Sequence, residues 1–258
     1  MKQDLHTHTL YCDGNNTVEE MIKSAIENGL SRIGFSGHSY TVFDTRYCMS
    51  LEGTEKYIAE INEMKEKYRG EIDILCGIEQ DFCSGRVPEG FDYAIGSVHY
   101  IPVGKAYVPV DEEPELLLEG ANKHFNGDIY ALCEAYFDCV SRVIKETNAD
   151  IIGHFDLITK FNEKEFLFDE KHPRYVNARN KAVLELLKEN KPFEINTGAI
   201  SRGYKSFPYP DEEVLKIIAE NSGHVIFSGD SHSVNTLCYN FDEFEFLIRK
   251  YNLTLANI

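Results

Sequence analysis

Short apolar runs alternate along this chain with longer segments whose apolar residues recur at helical spacing. The clearest helical segment begins at Thr17, which forms a capping-box pattern with Glu20, and it ends at Gly29. Its apolar residues fall on one face: Val18, Met21, Ile22, Ala25 and Ile26. The pattern therefore predicts an amphipathic helix that covers a more apolar layer.

Seven strand–helix units are predicted in this way. The strands are expected at residues 3–8, 32–36, 72–78, 93–98, 150–153, 193–196 and 225–228. The later helices are expected near residues 54–68, 128–147, 173–189, 211–221 and 242–251. Short apolar strands that alternate with amphipathic helices indicate parallel βα units, with both faces of the sheet covered.

Polar residues with metal-binding side chains follow most of these strands. Six are histidines and three are carboxylates: His6, His8, Asp13, His38, Glu79, His99, His154, Asp230 and His232. His6 and His8 lie two apart in an extended segment, so both side chains point to the same side. Imidazole and carboxylate are ligands of Zn, Mn and Fe, and several carboxylates together favour more than one ion. The set points to metal-assisted hydrolysis.

The distribution of these ligands also favours one fold class. The carboxyl ends of parallel strands converge on one mouth in a barrel, whereas an open sheet would spread them along an edge. Seven strands instead of eight predict an α/β fold of the distorted (β/α)7 TIM-like barrel type, with the metal site at the C-terminal mouth of the strands. A chain of 258 residues suits one such domain, over residues 1–258.

Composition limits the classes of partner and the cellular compartment that are expected for this protein. The formal net charge of -17 disfavours nucleic acid and anionic membranes as partners. No apolar run has the length of a membrane span, and the start at Met1 lacks the apolar stretch of a secretory signal. The seven cysteines are scattered without a CxxC spacing, which predicts a reducing, cytoplasmic environment.

The motifs around the candidate ligands resemble the polymerase-and-histidinol-phosphatase (PHP) superfamily over residues 4–232. They are His6-Thr7-His8, Asp13, Gly37-His38, Gly77-Ile78-Glu79, Ser97-Val98-His99, Gly153-His154 and Gly229-Asp230-Ser231-His232. The resemblance implies a distorted (β/α)7 barrel that holds two or three divalent ions and hydrolyses phosphate esters.

By position, the resemblance also implies which residues share an ion. The first ion would be held by His6, His8, Glu79 and Asp230. The second would be held by Glu79, His99 and His154, and the third by Asp13, His38 and His232. Many relatives have histidine where this chain has Asp13, so the chain departs from the family pattern at the third ion.

Segments 91–99, 153–158 and 194–198 most resemble the histidinol-phosphatase branch of the superfamily. This implies a small phosphorylated substrate, L-histidinol phosphate, in histidine biosynthesis. A water held between close ions is expected to lose a proton near neutral pH and attack the phosphorus. The alternatives are a PHP phosphoesterase for phosphotyrosine or nucleotides, an amidohydrolase-type barrel, and a non-catalytic metal-binding protein. The oligomeric state is not predicted.

Other residues are predicted to assist the reaction. Arg202 is the first candidate for a phosphate clamp and Lys160 the second. Asp13, His232 or metal-bound water would protonate the leaving group. The expected pocket lining is Tyr40, Phe43, Arg46, Tyr100 and Tyr107. Structural roles are expected for the other three histidines: His124 in a polar loop, His172 at a helix start, and His224 at a strand start.

Overall fold

The structure is a computed structural model that describes residues 2–256 and 258; Met1 and Asn257, which the predicted domain includes, lie outside the described residues. The strands are β1 Gln3–Asp4, β2 Arg32–Phe35, β3 Asp73–Asp81, β4 Tyr93–Ser97, β5 Tyr100–Val103, β6 Ala106–Pro109, β7 Ile151–Ile152, β8 Phe193–Asn196, β9 His224–Ser228 and β10 Thr254–Leu255. The helices are α1 Val18–Glu27, α2 Leu51–Lys67, α3 Pro114–His124, α4 Ile129–Thr147, α5 Asn162–Glu165, α6 Pro173–Leu187, α7 Gly198–Ser201, α8 Glu212–Glu220, α9 Phe241–Phe244 and α10 Phe246–Tyr251.

Eight of these strands form one parallel sheet in the order β1-β2-β3-β4-β7-β8-β9-β10. A parallel bridge between Thr7 and Ser231 joins the chain after β1 to the chain after β9. The first seven strands of the sheet therefore close round, while β10 pairs only with the start of β9. The predicted distorted (β/α)7 barrel is confirmed, and the short eighth strand is an addition to it.

Two apolar clusters support the barrel. The smaller consists of five buried residues from the strands and the end of β1: Leu5, Tyr93, Ile95, Ile151 and Ile226. Their neighbours along the chain, such as Ala94 and Ile152, belong to the larger cluster that the helices cover. This alternation is what successive side chains on opposite faces of a strand produce. The small cluster fills the barrel interior, and the polar site lies at the carboxyl ends of the strands.

Helix boundaries follow local capping. The predicted capping box at Thr17 and Glu20 is confirmed: the Thr17 side chain accepts from the Glu20 backbone N–H, and the Glu20 side chain accepts from the Thr17 N–H. Helix α2 begins earlier than predicted because the Ser50 side chain caps it at Gly53. None of the helices in the described part of the chain has the length and apolar composition that crossing a bilayer requires.

The sequence interpretation missed the elements between β4 and α4. Strands β5 and β6 form an antiparallel hairpin, and α3 follows it. His124 is the last residue of α3, so its prediction as a loop residue was wrong. Proline at positions 102 and 109 hides the strand pattern, because proline normally marks strand edges or turns. The last predicted helix is divided into α9 and α10. The single-domain organisation stays a prediction.

Candidate metal centre

The structure brings all nine predicted ligand side chains together at the carboxyl ends of the strands, around the buried carboxylate of Glu79. One oxygen, Oε2, lies 3.3 Å from His6 Nε2 and 2.9 Å from His38 Nδ1. The other, Oε1, lies 3.3 Å from His99 Nε2 and 2.9 Å from His154 Nε2. One carboxylate therefore stands between histidines from four different strand ends, as a bridging ligand requires.

The remaining ligands lie on either side of this centre. Asp230 Oδ1 is 3.7 Å from His6 Nε2 and 3.3 Å from His8 Nε2. Asp13 reaches the opposite group, with Oδ1 3.6 Å from His38 Nε2 and Oδ2 3.2 Å from His232 Nε2. Asp13 thus has two imidazoles within reach.

Four sets of these atoms are close enough to share an ion, with ligand atoms within 4.8 Å of one another. They are His6–His8–Asp230, His8–Asp13–His38–His232, His6–Glu79–His154 and His38–Glu79–His99. The first set matches the predicted first group except for Glu79, and the second contains the predicted third group. His99 and His154 each meet Glu79 but fall into separate sets, so the division of ligands among ions stays a prediction.

Local backbone geometry places Asp230 and the chain before it. Asp230 adopts a left-handed backbone conformation with φ 48°, which is uncommon for a non-glycine residue. The Gly229 N–H donates to Asp4 Oδ1 at 2.9 Å, and a Cβ at Gly229 would lie 2.3 Å from Asp4 Oδ2. Glycine is therefore required for this close approach. This backbone conformation directs the Asp230 carboxylate toward His6 and His8.

Burial and neighbouring charges polarise the cluster. Burial, reinforced by two neighbouring histidine rings, lowers the pKa of His8 to about 3. Burial alone would raise the pKa of Glu79, but the surrounding imidazoles hold it well below its ordinary value. Burial disfavours the charged form of His99, but Glu79 and Asp81 outweigh it and raise its pKa to about 10. The carboxylates of the cluster therefore remain ionised, and their negative charge favours the binding of cations.

Several buried side-chain atoms of the cluster have no hydrogen-bond partner among residues 2–256 and 258: His6 Nε2, His8 Nε2, Glu79 Oε2 and His154 Nδ1. Buried polar atoms of a folded protein are otherwise nearly always satisfied. Three of these four are Nε2 or carboxylate atoms that face the centre of the cluster, and divalent cations would satisfy them. The donor set and its unsatisfied atoms therefore fit the predicted ions, with Zn, Mn and Fe all compatible.

Two carboxylates that sequence reasoning did not assign orient the ligands from behind. Glu194 Oε1 accepts from His6 Nδ1 at 2.7 Å, and Asp81 Oδ2 lies 3.2 Å from His99 Nδ1. Such partners fix the tautomer and the ring direction of metal-binding histidines. The available signal was an acidic residue within an otherwise apolar strand, at Glu194, and a carboxylate two residues after Glu79, at Asp81.

The ligands open into a cavity of about 320 Å3. Its other walls come from Tyr47, Tyr100, Asp111, Glu112, Leu157, Lys160 and Arg202. Both predicted cationic residues therefore face the space beside the metal centre. Arg202 Nη2 lies 2.8 Å from Asp230 Oδ2, and Lys160 Nζ lies 3.2 Å from Asp111 Oδ2.

The predicted aromatic lining is mostly wrong. Only Tyr100 of the five expected residues borders the cavity. Phe43 and Tyr107 instead stack on each other, with ring centroids 3.7 Å apart. Arg46 is largely exposed and pairs with Asp44 and Glu112. Phe43 precedes α2 and Tyr107 lies in β6, so the pattern along the chain does not reveal that their rings stack on each other.

The three histidines expected to be structural lie outside the ligand sets. His172 caps α6, where its ring nitrogen accepts from the Arg174 backbone N–H at 3.3 Å. His124 ends α3 and His224 begins β9. None of the three borders the cavity.

Comparison with known proteins agrees with this geometry. A histidinol-phosphatase of Bacillus subtilis is 24% identical over 94% of this chain and 98% of its own length. A protein of Schizosaccharomyces pombe named as a probable histidinol-phosphatase is 26% identical over 92% of this chain and 82% of its own length. The crystal structure of a Lactococcus lactis histidinol phosphate phosphatase has the same fold, with a TM-score of 0.75 and 20% identity over 99% of this chain and 95% of that one. The PHP domain family model matches residues 4–198. The chain therefore belongs to the PHP domain family.

Proposed function

We propose that this protein is a metal-dependent histidinol-phosphatase, which hydrolyses L-histidinol phosphate to L-histidinol and phosphate in histidine biosynthesis. The observation that carries the proposal is the cluster of nine ligand residues at one end of a cavity that also contains Arg202 and Lys160. Curated relatives that match more than nine tenths of the chain are named as a histidinol-phosphatase or as probable histidinol-phosphatases. The Lactococcus lactis structure was determined with Zn, L-histidinol and phosphate.

Two or three divalent ions held by these ligands would stabilise charge on the phosphoryl group and provide a nucleophile at neutral pH. The protein supplies the ligands and their orientation: Glu79 lies at the centre, and Glu194 and Asp81 fix the rings of His6 and His99. Because these side chains are buried, each electrostatic contact is stronger than it would be in water.

Cationic side chains complete the phosphate site. The Arg202 guanidinium is oriented by Asp230 and by His232, whose Nδ1 is 3.1 Å from Arg202 Nη1. Its planar fork can donate to two phosphoryl oxygens at once. Lys160 adds a second positive charge on another wall. The leaving alkoxide needs a proton, and His232 or water at the metal centre is proposed to give it. Burial alone would raise the pKa of Asp13, but the neighbouring imidazoles hold it well below its usual range, so this carboxylate stays ionised and, 3.2 Å away, orients His232.

The substrate is a small molecule in this proposal, since the cavity of about 320 Å3 suits one. A cytoplasmic location is part of the proposal and is supported by seven free cysteines. The alternative is a phosphoesterase of the same family that acts on phosphotyrosine or a nucleotide.

Phosphate release from L-histidinol phosphate, p-nitrophenyl phosphate, phosphotyrosine and nucleoside monophosphates tests the proposal, with Mn, Zn or Fe supplied. We expect the highest kcat/KM for L-histidinol phosphate. His99→Ala should lower it at least about 100-fold because the ligand and its charge stabilisation are lost. His224→Ala is the matched control outside the site and should retain turnover. Hydrolysis of the other esters, with no hydrolysis of L-histidinol phosphate, would overturn the proposed substrate.

A further inference from the structure

The cavity beside the metal centre contains an ion pair between two residues that belong to none of the ligand sets. Lys160 Nζ lies 3.2 Å from Asp111 Oδ2, and it also donates to the Asp111 backbone oxygen at 2.6 Å. The two side chains are 12% and 25% exposed, and both border the cavity. A positive and a negative charge are therefore held side by side where the substrate enters.

Both residues are fixed next to metal ligands by the backbone. The Val110 N–H donates to the His99 oxygen at 3.0 Å, which places Asp111 beside that ligand. The Leu157 N–H donates to the His154 oxygen at 3.0 Å, and the Lys160 N–H donates to the Leu157 oxygen at 2.8 Å. Backbone hydrogen bonds thus hold the two members of the ion pair beside ligands from two different strand ends.

The carboxylate of Asp111 is able to change partner. Within residues 2–256 and 258, Lys160 is its only hydrogen-bond partner. Lys160 keeps a second acceptor, the Asp111 backbone oxygen, so it stays in place when the carboxylate binds another cation. Burial raises the cost of leaving such a charge unpaired, which favours replacement of Lys160 by a second cation over simple separation.

The neighbouring carboxylate, Glu112, is already occupied. Its Oε1 accepts from the Tyr100 hydroxyl at 3.1 Å and pairs with Arg46 Nη2 at 2.5 Å. Arg46 also pairs with Asp44, so this part of the wall has its own cation. Asp111 is therefore the carboxylate of this wall with capacity for a ligand.

We propose that the Asp111 carboxylate recognises an ammonium group of the substrate, while Lys160 binds the phosphate beside it. This rests on the proposed function, because two carbon atoms separate the ester oxygen of L-histidinol phosphate from its amine nitrogen. The phosphate binds toward Lys160 and the metal centre, and the ammonium binds the Asp111 carboxylate. A phosphate ester without the ammonium leaves Asp111 without this contact and meets its negative charge. Asp111 is thus the specificity-determining residue for aminoalkyl phosphates.

The test compares L-histidinol phosphate with 3-(imidazol-4-yl)propyl phosphate, which lacks only the amine. Wild-type protein should prefer the amine-bearing ester, and Asp111→Asn should reduce the ratio of the two kcat/KM values roughly 10- to 100-fold, as expected for loss of a hydrogen bond between charged groups. The metal-loaded variant should also bind the product L-histidinol more weakly by calorimetry. Glu113→Gln changes an exposed carboxylate that does not border the cavity, and should keep the wild-type ratio.

Other outcomes overturn the inference. An equal fall in kcat/KM for both esters in Asp111→Asn would assign Asp111 a merely structural role. If Glu112→Gln lost the preference for the amine-bearing ester and Asp111→Asn kept it, the ammonium site would be assigned to Glu112 and not to Asp111. Wild-type protein that hydrolyses both esters equally well would refute amine recognition alone, whereas no turnover of L-histidinol phosphate would refute the proposed function itself.

Discussion

His6 and Glu194 form a buried pair in which the imidazole Nδ1 donates to the carboxylate Oε1 at 2.7 Å. The second carboxylate oxygen, Oε2, accepts from the His154 backbone N–H at 2.9 Å. A single carboxylate on β8 therefore orients two ligands from two other strand ends. In the neutral ring that binds a metal, protonation of Nδ1 leaves Nε2 unprotonated and directed to the centre of the cluster.

Glu194→Gln tests this relationship. Glutamine retains the volume but removes the negative charge and one acceptor, so the His6 ring loses its preferred tautomer. We expect metal affinity and kcat/KM to fall about 10- to 100-fold, the usual effect of losing such a partner. Metal titration and steady-state kinetics measure the two effects. The exposed Glu220→Gln is the control, and unchanged metal affinity in Glu194→Gln would contradict the assigned role.

Asp4 is a second buried carboxylate beneath the site. It accepts hydrogen bonds from His6 N, Gly229 N, Cys238 N and the Ser231 hydroxyl. Because these groups lie at the junction of the first and seventh barrel strands, Asp4→Asn should destabilise metal-free protein by about 2–4 kcal/mol and weaken metal binding. Urea unfolding of metal-free protein measures the change. The exposed Asp138→Asn should have little effect; equal stabilities of Asp4→Asn and wild type would be incompatible with this role.

Proton competition should make metal binding depend on pH. The pKa of His99 in the metal-free fold is raised from its ordinary 6.5 to about 10. Its stabilising contribution is therefore complete below pH 6.5 and is lost as pH rises through about 10. A metal must displace this proton, so apparent affinity should rise about tenfold per pH unit for one proton released. Metal titrations between pH 6.5 and 9 measure the slope, and a flat profile would rule out the coupling.

Arg202→Lys separates phosphate binding from metal binding. Lysine keeps the positive charge beside Asp230 but loses the planar fork that binds two oxygens. We expect kcat/KM for phosphate esters to fall about 10- to 100-fold while the bound metal is retained. The bound metal and the kcat/KM of Arg202→Lys are measured beside those of a control variant, Arg142→Lys, on the exposed face of α4. Full activity in Arg202→Lys would exclude the clamp.

The sequence predicted the barrel and the positions of the ligand residues because both depend on local patterns. Apolar strands followed by His38, Glu79, His99 or His154 identify the strand ends, and parallel strands bring those ends together. The partition of ligands among ions depends on side-chain directions, which strand spacing does not specify. Glu194 stands out as an acidic residue in an apolar strand, but its role depends on a contact with His6, 188 positions away, which the local pattern does not specify.

The pocket walls were predicted less well for a similar reason. The hairpin of β5 and β6 carries Tyr100 to the cavity and places Asp111 beside His99, but its sequence has two prolines and no clear alternation. Lys160 and Arg202 were found because cations shortly after strand ends are few. Their carboxylate partners became visible only in three dimensions.

Metal removal and restoration test the central claim most directly. Protein stripped with a chelator and dialysed should release no phosphate from L-histidinol phosphate. Stepwise addition of Mn, Zn or Fe should restore turnover and level off at two or three bound ions per chain, and Glu79→Gln should bind fewer and remain inactive. Full turnover by metal-free protein, or full metal content in Glu79→Gln, would contradict a metal centre built around that carboxylate.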